Sequence, residues 1–443
     1  MVDFESACAA ISRQIATWFA VLCLSLICAP VQAQDSAAIY VSTRGDNRAD
    51  GSSPSRALRT ISAALARARP GQTVLIEGGT YREQVITVRG GRPGAQITLR
   101  SVNGIARVDG SGLKGRRDQN RGLIELHHPF VTLDGLAIVS SNSTGILLAA
   151  SDLTVQNCHI ADIQRHGIST ETSFQTRAAG GGQMIKRIVL SGNTIEQTAL
   201  AGNSQALSLI ADGFRVSGNT IHNNRAEGID IWLGSRRGEV TGNTVYANDA
   251  VGIYVDGAAY VSISGNRVYG NPSGIGISSE DARYGTHDIA VFNNVVYNNP
   301  KNAIFVWDDD RRPGIRGSQK VLIAHNTLIG SNYALYFAGD ANSVEALNNL
   351  GLASGGNVQM GGGRGSSIRL GGNVWLASLT GFQGAERKDY HLAAQSPAIG
   401  KGVPLPAPGS YAIANLRLDL DFDGFARVST GSGDAGAYAY VRN

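Results

Sequence analysis

A short alternating segment recurs along the middle of this 443-residue chain and restricts the folds that the chain can adopt. Residues 228–232 (GIDIW) return as residues 252–256 (GIYVD), 24 residues later. Similar segments begin at Gly145, Gly167, Ala206, Gly274, Ala303 and Ala334. Other short alternating strands lie between them. A repeat of about 22 to 25 residues with two or three short strands predicts a parallel β-solenoid, in which each coil stacks on the one before.

A row of asparagines runs through the same repeat. Its members are Asn157, Asn193, Asn219, Asn243, Asn266, Asn294, Asn326, Asn349 and Asn373. Asparagine accepts the left-handed conformation of a tight turn, and its side-chain amide can bond to the next coil. We therefore expect a structural ladder at one turn of every coil. A leucine-rich repeat is excluded because its leucine spacing is missing, and a propeller needs a longer, four-stranded repeat.

Alternation within the repeated strand separates core positions from outward positions. The second and fourth residues are aliphatic and predict the core, so the third and fifth residues face outward. The third residues are Leu147, Ser169, Ser208, Asp230, Tyr254, Gly276, Phe305 and Tyr336. The fifth are Ala149, Glu171, Ile210, Trp232, Asp256, Ser278, Trp307 and Ala338. Aromatic and acidic side chains therefore collect on the outer face of the middle coils.

This outer face predicts a groove for a polymeric ligand. We expect sugar rings to stack on Trp232, Tyr254, Phe305 and Trp307, with Gly276 leaving a low point for one ring. The alternative is that long loops pack over the aromatic rings, since exposed tryptophan is unfavourable without a partner.

The two ends of the chain differ from the repeat. Residues 1–33 resemble a secretory signal peptide with cleavage after Ala33, and a membrane anchor is the alternative. We expect a secreted or periplasmic protein whose mature chain keeps one cysteine, Cys158, and has no internal disulfide. An apolar face made by Leu58, Ile61, Leu65 and Ala68 predicts a short helix that caps the core. From residue 389 the asparagine rhythm stops, which indicates a C-terminal tail.

Residues 39–83 (IYVSTRGDNRADGSSPSRALRTISAALARARPGQTVLIEGGTYRE) resemble the opening segment of the secreted right-handed parallel β-helix superfamily, the pectate-lyase-like proteins. Residues 389–402 (DYHLAAQSPAIGKG) and 433–440 (GDAGAYAY) resemble its closing segment. The resemblance implies an all-β fold, a single right-handed parallel β-helix over residues 34–443. It further implies an N-terminal cap region at 34–80, a tail at 389–443 and activity on polysaccharides.

Carboxylates on the predicted outer face suggest two kinds of chemistry, and Glu280 lies at the end of one of its strands. The strand spacing and rise place the Cα atoms of Asp230 and Asp256 about 8 Å apart. The pair could act as the acid and base of a glycosidase. It could also hold Ca²⁺ together with Glu171 and Asp308, because calcium prefers several carboxylate oxygens. Solvated or arginine-paired aspartates are the simpler alternative.

The resemblance also implies a lyase mechanism, in which a lysine or arginine removes the proton next to a uronic carboxylate. Arg236 and Lys301 are the candidate bases. Arg237, Tyr284 and His287 are further candidates for binding the substrate, and His287 is an alternative base. The chain departs from the superfamily's motifs: Gly234-Ser235-Arg236-Arg237 stands near the place of an Asn-Lys-Ser segment, and the polygalacturonase motifs are incomplete.

These observations favour a secreted lyase that cleaves an acidic polysaccharide. A glycoside hydrolase using Asp230 and Asp256 is the second hypothesis, and a non-catalytic glycan-binding or adhesion protein is the third. The net charge of +4 agrees with an acidic partner. We expect a monomer without nucleic-acid binding, and Ca²⁺ is the one candidate cofactor.

Overall fold

The backbone of this protein winds through repeated turns of three short strands. The computed structural model describes residues 38–113, 121–170, 184–281, 283–308, 314, 317–339, 342–361, 365–414, 416–427 and 433–441. The predicted signal peptide and Glu171 lie outside the described residues. Within the described part of the chain, no helix is long and apolar enough to cross a membrane.

Three stacks of parallel strands account for nearly all of the strands that the structure describes; we name them the first, second and third sheets. The first sheet contains Ile39–Val41, Thr73–Tyr81, Ile97–Asp109, Val131–Asp134, Leu153–Gln156, Lys186–Ser191, Asp212–Ser217, Arg236–Thr241, Ala259–Ser264, His287–Phe292, Gln319–Ala324, Ser343–Leu347 and Ser367–Gly371. Its two long strands, Thr73–Tyr81 and Ile97–Asp109, continue into the second sheet, where they pair again.

The second sheet follows directly after a turn in each coil. It contains Ala137–Ser141, His159–Ile163, Thr194–Glu196, Thr220–His222, Thr244–Tyr246, Arg267–Tyr269, Val295–Tyr297, Thr327–Ile329, Leu350–Leu352 and Val374–Trp375. The third sheet contains Val85–Ile86, Gly122–Leu126, Thr144–Leu148, Ile168–Thr170, Leu207–Leu209, Ile229–Trp232, Val251–Asp256, Ser273–Ser279, Asn302–Asp308, Tyr333–Ala338 and Gly356–Gly361. The all-β parallel β-helix expected from the repeat is confirmed.

The core lies between the three sheets, and the aliphatic repeat fills it. Ile229 pairs with Ile253, and Ile231 pairs with Val255. All four are fully buried. Burying one such side chain stabilises the fold by about 1.5–3 kcal/mol, and stacked coils repeat this contribution without a disulfide. Cys158 is free and buried, so it forms no disulfide.

The predicted asparagine ladder is present between the first and second sheets. From Asn193 to Asn373 each side chain bonds to the next asparagine, with Nδ2 to Oδ1 distances of 2.9–3.0 Å. Asn157 is wrongly included in the sequence prediction. Cys158 occupies its ladder position and donates its backbone N–H to Asn193. A second ladder of side-chain hydrogen bonds, which the sequence analysis did not predict, joins Asn224, Asn248, Asn271 and Asn299.

A five-residue α-helix, Ile61–Leu65, forms where the sequence predicts one. The Thr60 side chain caps it by accepting a hydrogen bond from the Ala63 backbone N–H. The apolar face, which includes Leu58 and Ala68, is buried in the main core. That this helix closes the end of the coil stack stays a prediction. Short 3₁₀ helices lie at Pro54–Arg56, Leu379–Gly381, Ala385–Arg387 and Pro408–Ser410.

The C-terminal tail packs along the outside of the first and second sheets. Its antiparallel strands, Phe382–Gly384 and Asp389–Leu392, place Tyr390 against Tyr297 of the second sheet. Further along, Tyr411 and Ile413 join a cluster on the outer face of the first sheet. The two clusters that the tail forms therefore lie on these two sheets.

Candidate functional site

The outer face of the third sheet carries the polar and aromatic side chains that the repeat predicts. Asp230 is in register with Tyr254, and Trp232 with Asp256. One coil further, Asp256 is in register with Ser278. The stacked order inferred from the sequence is therefore confirmed. Because Asp230 and Asp256 differ by one coil and two residues, their Cα atoms lie about 8 Å apart.

This face is more enclosed than a simple groove. Asp230 is 4% exposed, Asp256 6% and Phe305 8%, whereas Trp232, Tyr254 and Trp307 are half-buried. The low point expected at Gly276 is not there, because a Cβ at Gly276 would overlap the rings of Phe305 and Tyr254. Phe305 thus packs against Tyr254, with ring centroids 6.2 Å apart.

Asp256 is a buried carboxyl group with a raised proton affinity. Its Oδ1 accepts a hydrogen bond of 3.0 Å from the backbone N–H of Glu280, and its carboxylate also accepts one from Trp232. Burial, followed by the negative charge of Glu280, raises the pKa of Asp256 to about 6. Asp256 therefore titrates near neutral pH, where an acid–base catalyst is most effective.

Asp230 is a second buried carboxyl group whose protonated form is favoured. Burial raises its pKa well above the ordinary value, and the charges of Glu227, Asp256 and Glu280 raise it further. Its Oδ1 has no hydrogen-bond partner among the residues that the structure describes. Burial and Glu280 also raise the pKa of Glu227. The four residues Glu227, Asp230, Asp256 and Glu280 form what we call the carboxyl cluster.

Glu280 links the carboxyl cluster to the aromatic side chains. Its Oε1 accepts hydrogen bonds from the Tyr254 hydroxyl and from Ser278 Oγ, the latter at 3.1 Å. Trp307 Nε1 donates to the Tyr254 hydroxyl at 3.1 Å. Burial, with the charge of Glu280, raises the pKa of Tyr254, so this phenol stays protonated.

The sequence prediction placed Glu280 at a strand end of this face without assigning it to the site, and it did not name Glu227. Glu227 precedes its strand by two residues, and Glu280 directly follows Ser273–Ser279. Both therefore lie outside the alternating segment from which the site was read. An acidic residue just before a strand is the signal that could have identified Glu227.

Among the described residues, no ion pair joins the predicted lyase bases Arg236 and Lys301 to the carboxyl cluster. Arg236 and Arg237 begin a first-sheet strand and both form ion pairs with the buried Asp212; the Arg236–Asp212 distance is 3.2 Å. Lys301 is exposed in the turn that precedes Asn302–Asp308, at the opposite end of that strand from Trp307. Their roles as bases stay predictions without support from their positions.

Tyr284 and His287 lie instead at a pocket of about 590 Å³ next to the cluster. We call it the basic pocket. Gly257, which directly follows Asp256, is one of its lining residues. His287 Nδ1 donates to Asp288 Oδ2 at 2.8 Å, and the His287 ring packs edge-on against Tyr260. Its charged and aromatic lining residues are Lys186, Arg236, Tyr260, Arg283, Tyr284 and His287.

The predicted calcium ligands that the structure describes are Asp230, Asp256 and Asp308. Among the described residues, no group of three or more His, Cys, Asp and Glu side chains could hold a metal ion. Asp308 is buried, and its Oδ1 lies where a side chain at Gly339 would be. Because Glu171 lies outside the described residues, the calcium hypothesis stays a prediction.

Sequence comparison identifies the family. A family model described as the right-handed β-helix region matches residues 144–319. Uncharacterized protein YwoF of Bacillus subtilis (strain 168) is 30% identical over 327 residues, which are 66% of this chain and 68% of YwoF. The chain belongs to the right-handed β-helix family. The family resemblance inferred from the two end segments is therefore confirmed.

Solved structures agree with this β-helix fold. Pectate lyase Pel9A has a TM-score of 0.57 and 17% identity, covering 92% of this chain and 96% of Pel9A. XylC in complex with xylose has a TM-score of 0.52 and 11% identity, covering 76% of this chain and 83% of XylC. At these identities the likeness shows the fold alone, so the chemistry must be argued from the site.

Proposed function

We propose that this β-helix protein is an exported enzyme that cleaves glycosidic bonds in a polysaccharide, with Asp230 and Asp256 as its reacting pair. The observation that carries the proposal is the raised pKa of two carboxyl groups on one sheet face. Glycoside hydrolases commonly use two carboxyl groups whose pKa values differ from each other. The pectate lyase and the xylose-binding XylC share the fold, which is consistent with a carbohydrate substrate.

The two carboxyl groups take different roles in this proposal. Asp256 loses its proton as the pH rises through about 6, so it is the carboxylate that acts as base or nucleophile. Asp230, whose pKa is raised well above its ordinary value by burial, is the acid that donates its proton to the leaving oxygen. Tyr254, fixed by Glu280 and Trp307, positions the sugar beside them. The carboxyl pair therefore supports hydrolysis, whereas the sequence alone favours a lyase reaction.

A lyase is the second candidate, and the basic pocket supports it. His287 is oriented by Asp288, in the way that a carboxylate fixes the tautomer of a catalytic imidazole. In β-elimination such a base removes the proton next to a uronic carboxylate, and the leaving oxygen departs as a double bond forms. The product is an unsaturated uronide, which hydrolysis does not form.

The deciding experiment uses the mature protein on pectate, alginate, glucuronan, hyaluronan, xylan and bacterial exopolysaccharides, each with Ca²⁺ and with a chelator. Reducing ends and the ultraviolet absorbance of unsaturated uronides are recorded together. Reducing ends without the absorbance support hydrolysis, whereas a rise in both supports the lyase. Loss of turnover with chelator would support calcium.

Asp256→Asn provides the control for the site. We expect it to lower kcat by about 10²–10⁴-fold while substrate binding is retained. Turnover unchanged by Asp256→Asn would exclude the carboxyl cluster as the reacting site. Binding without turnover on every polymer would leave the non-catalytic glycan-binding protein as the better description.

A further inference from the structure

The last coil of the β-helix exposes side chains whose counterparts in the preceding coil are buried. Met360 is in register with Phe337, and Leu370 is in register with Ala346. Phe337 and Ala346 are 1% and 0% exposed, whereas Met360 is 48% exposed and Leu370 43%. Val358, in the same coil as Met360, is only partly buried against the main core. The apolar core therefore continues to the last coil and is open to solvent there.

Three strand edges surround these exposed core residues. The third sheet ends at Gly356–Gly361, the first at Ser367–Gly371 and the second at Val374–Trp375. Among the described strands, each of the three pairs only with the coil before it. Every second residue on such an edge directs its backbone N–H and C=O away from the sheet, where another strand can pair with them. We call these three strands, with their exposed core side chains, the open end.

The open end lacks the features by which proteins usually protect a free sheet edge, which are charged side chains, proline and bulges. Gly356–Gly361 contains no charged residue and no proline. The one charged side chain of Ser367–Gly371, Arg369, forms an ion pair with Glu345 of the preceding coil. The described clusters of the C-terminal tail pack on the outer faces of the first and second sheets. The open end is therefore suited to contact another sheet edge.

The opposite end of the first sheet offers no matching edge. Its first strand, Ile39–Val41, is already paired on its outer side. Tyr40 donates its backbone N–H to the Gly51 carbonyl at 2.9 Å, and its own carbonyl accepts from the Leu58 N–H at 2.8 Å. A head-to-tail contact between two chains would need a free edge at both ends. A contact with two-fold symmetry needs only one surface, used by both chains.

We propose that the open end is the contact surface of a dimer, in which a second copy of this chain packs its own open end against the first. The columns of apolar side chains that end at Met360 and Leu370 are then covered. Since a six-residue strand spans about 20 Å, an end face of that width in each direction covers roughly 400 Å² per partner.

This area is about half of the 800 Å² or so that each partner contributes to a standard stable interface. We therefore expect a weak dimer, with a dissociation constant in the micromolar range. The monomer expected from the sequence is then the form present in dilute solution.

The open end is separate from the carboxyl cluster. Four interstrand steps along the third sheet, about 19 Å, lie between Val251–Asp256 and Gly356–Gly361. The dimer therefore leaves the carboxyl cluster uncovered, and it can form whether or not a polysaccharide is cleaved. Failure of the dimer and failure of the proposed reaction are distinguished by measuring mass and turnover on the same variants.

The test is sedimentation equilibrium of the mature protein from about 1 μM to about 500 μM, a range that brackets a micromolar dissociation constant. The average mass should rise from one chain to two. Met360→Lys and Leu370→Lys should each weaken association by about ten-fold or more. The two-fold contact would bury the lysine of both copies without a partner for its charge. The Tm of the wild type should also rise with protein concentration, and that of the two variants should not.

Ile105→Lys is the matched control. Ile105 is 67% exposed and lies in Ile97–Asp109, toward the opposite end of the coil stack. Its association should equal that of the wild type. Met360 and Leu370 are about half exposed in the single chain, so both lysine variants should fold, and circular dichroism checks this.

Single introduced cysteines determine the symmetry of the contact, because Cys158 is buried and is the one cysteine of residues 34–443. With a bismaleimide crosslinker, Ser367→Cys at the open end should form a crosslinked dimer with itself. Ser55→Cys, exposed at the opposite end, should form none, alone or mixed with Ser367→Cys. Crosslinks between these two positions would show a head-to-tail contact and overturn the proposal. A mass of one chain at every concentration, or wild-type association in both lysine variants, would also overturn it.

Discussion

At the scale of single residues, the carboxyl cluster is an arrangement that folding alone would not favour. Asp256 has a higher pKa in the folded chain than an aspartate has in the unfolded chain. Its protonated form is therefore favoured by folding. The resulting stabilisation is complete below the unfolded pKa and is lost as pH rises through about 6. Residues that reduce stability at neutral pH while retaining their chemistry are typical of functional sites.

Asp256→Asn should therefore stabilise the protein at neutral and alkaline pH. The amide oxygen still accepts the hydrogen bond from Glu280, while the buried charge is removed. We expect the free energy of unfolding at pH 8 to rise by up to about 3 kcal/mol, and the gain to vanish below pH 4. Urea denaturation of both proteins at several pH values measures this. A gain that does not depend on pH would contradict the assigned pKa.

Trp232 should set the acidic limb of the pH–rate profile. Its hydrogen bond lowers the pKa of Asp256, so Trp232→Phe should raise that pKa. The pH at which activity reaches half its maximum should then move upward from about 6. Trp307→Phe is the matched control, because its indole bonds to Tyr254 and not to Asp256. The pH dependence of kcat/KM separates the two variants, and equal profiles would reject this role of Trp232.

At the scale of elements, the two-residue period of each strand predicts most of the fold. It identifies which side chains face outward. It also gives the register of Asp230 with Tyr254, because successive coils carry the same strand pattern. It does not predict how rings fold over Gly276, because that depends on the size of the neighbours in two other coils. It places Glu280 only at a strand end, because the contacts of a side chain beyond the alternating segment do not follow from the repeat.

The asparagine ladder shows the same limit and offers a test. Asn157 and Cys158 are adjacent, so the spacing alone does not show which one occupies the ladder position. Asn243→Ala should lower the free energy of unfolding by roughly 2–4 kcal/mol, because Val216 and Asn219 lose buried hydrogen-bond partners. Asn157→Ala should cost about 1 kcal/mol or less. Thermal and urea denaturation measure both, and equal losses would place Asn157 in the ladder after all.

At the scale of the whole molecule, the C-terminal tail determines which outer face is left for a ligand. Its described clusters pack on the first and second sheets, whereas the third sheet carries the carboxyl cluster. The fold itself does not select a reaction, since a pectate lyase and XylC share it. The specificity must come from side chains on the third sheet and at its junction with the first.

Arg427 should be the main polar attachment of this tail. Its guanidinium is buried, which lowers its pKa to about 10, and it bonds to Asn293 Oδ1 at 2.8 Å and to the carbonyls of Leu420, Gly436 and Ala437. Arg427→Ala removes the donor to Asn293 Oδ1 and to the Gly436 carbonyl, whereas the carbonyls of Leu420 and Ala437 each keep a second donor. The substitution should cost about 2–4 kcal/mol.

The expected result for Arg427→Ala is early protease cleavage within the tail, while the coils stay folded by circular dichroism. Arg417→Ala is the matched control, since Arg417 is exposed and pairs only with nearby Asp419 among the described residues. Its cleavage rate should equal that of the wild type. If Arg427→Ala instead unfolds the tail and coils in one transition, the tail is part of the cooperative core, because detachment and coil unfolding are then inseparable.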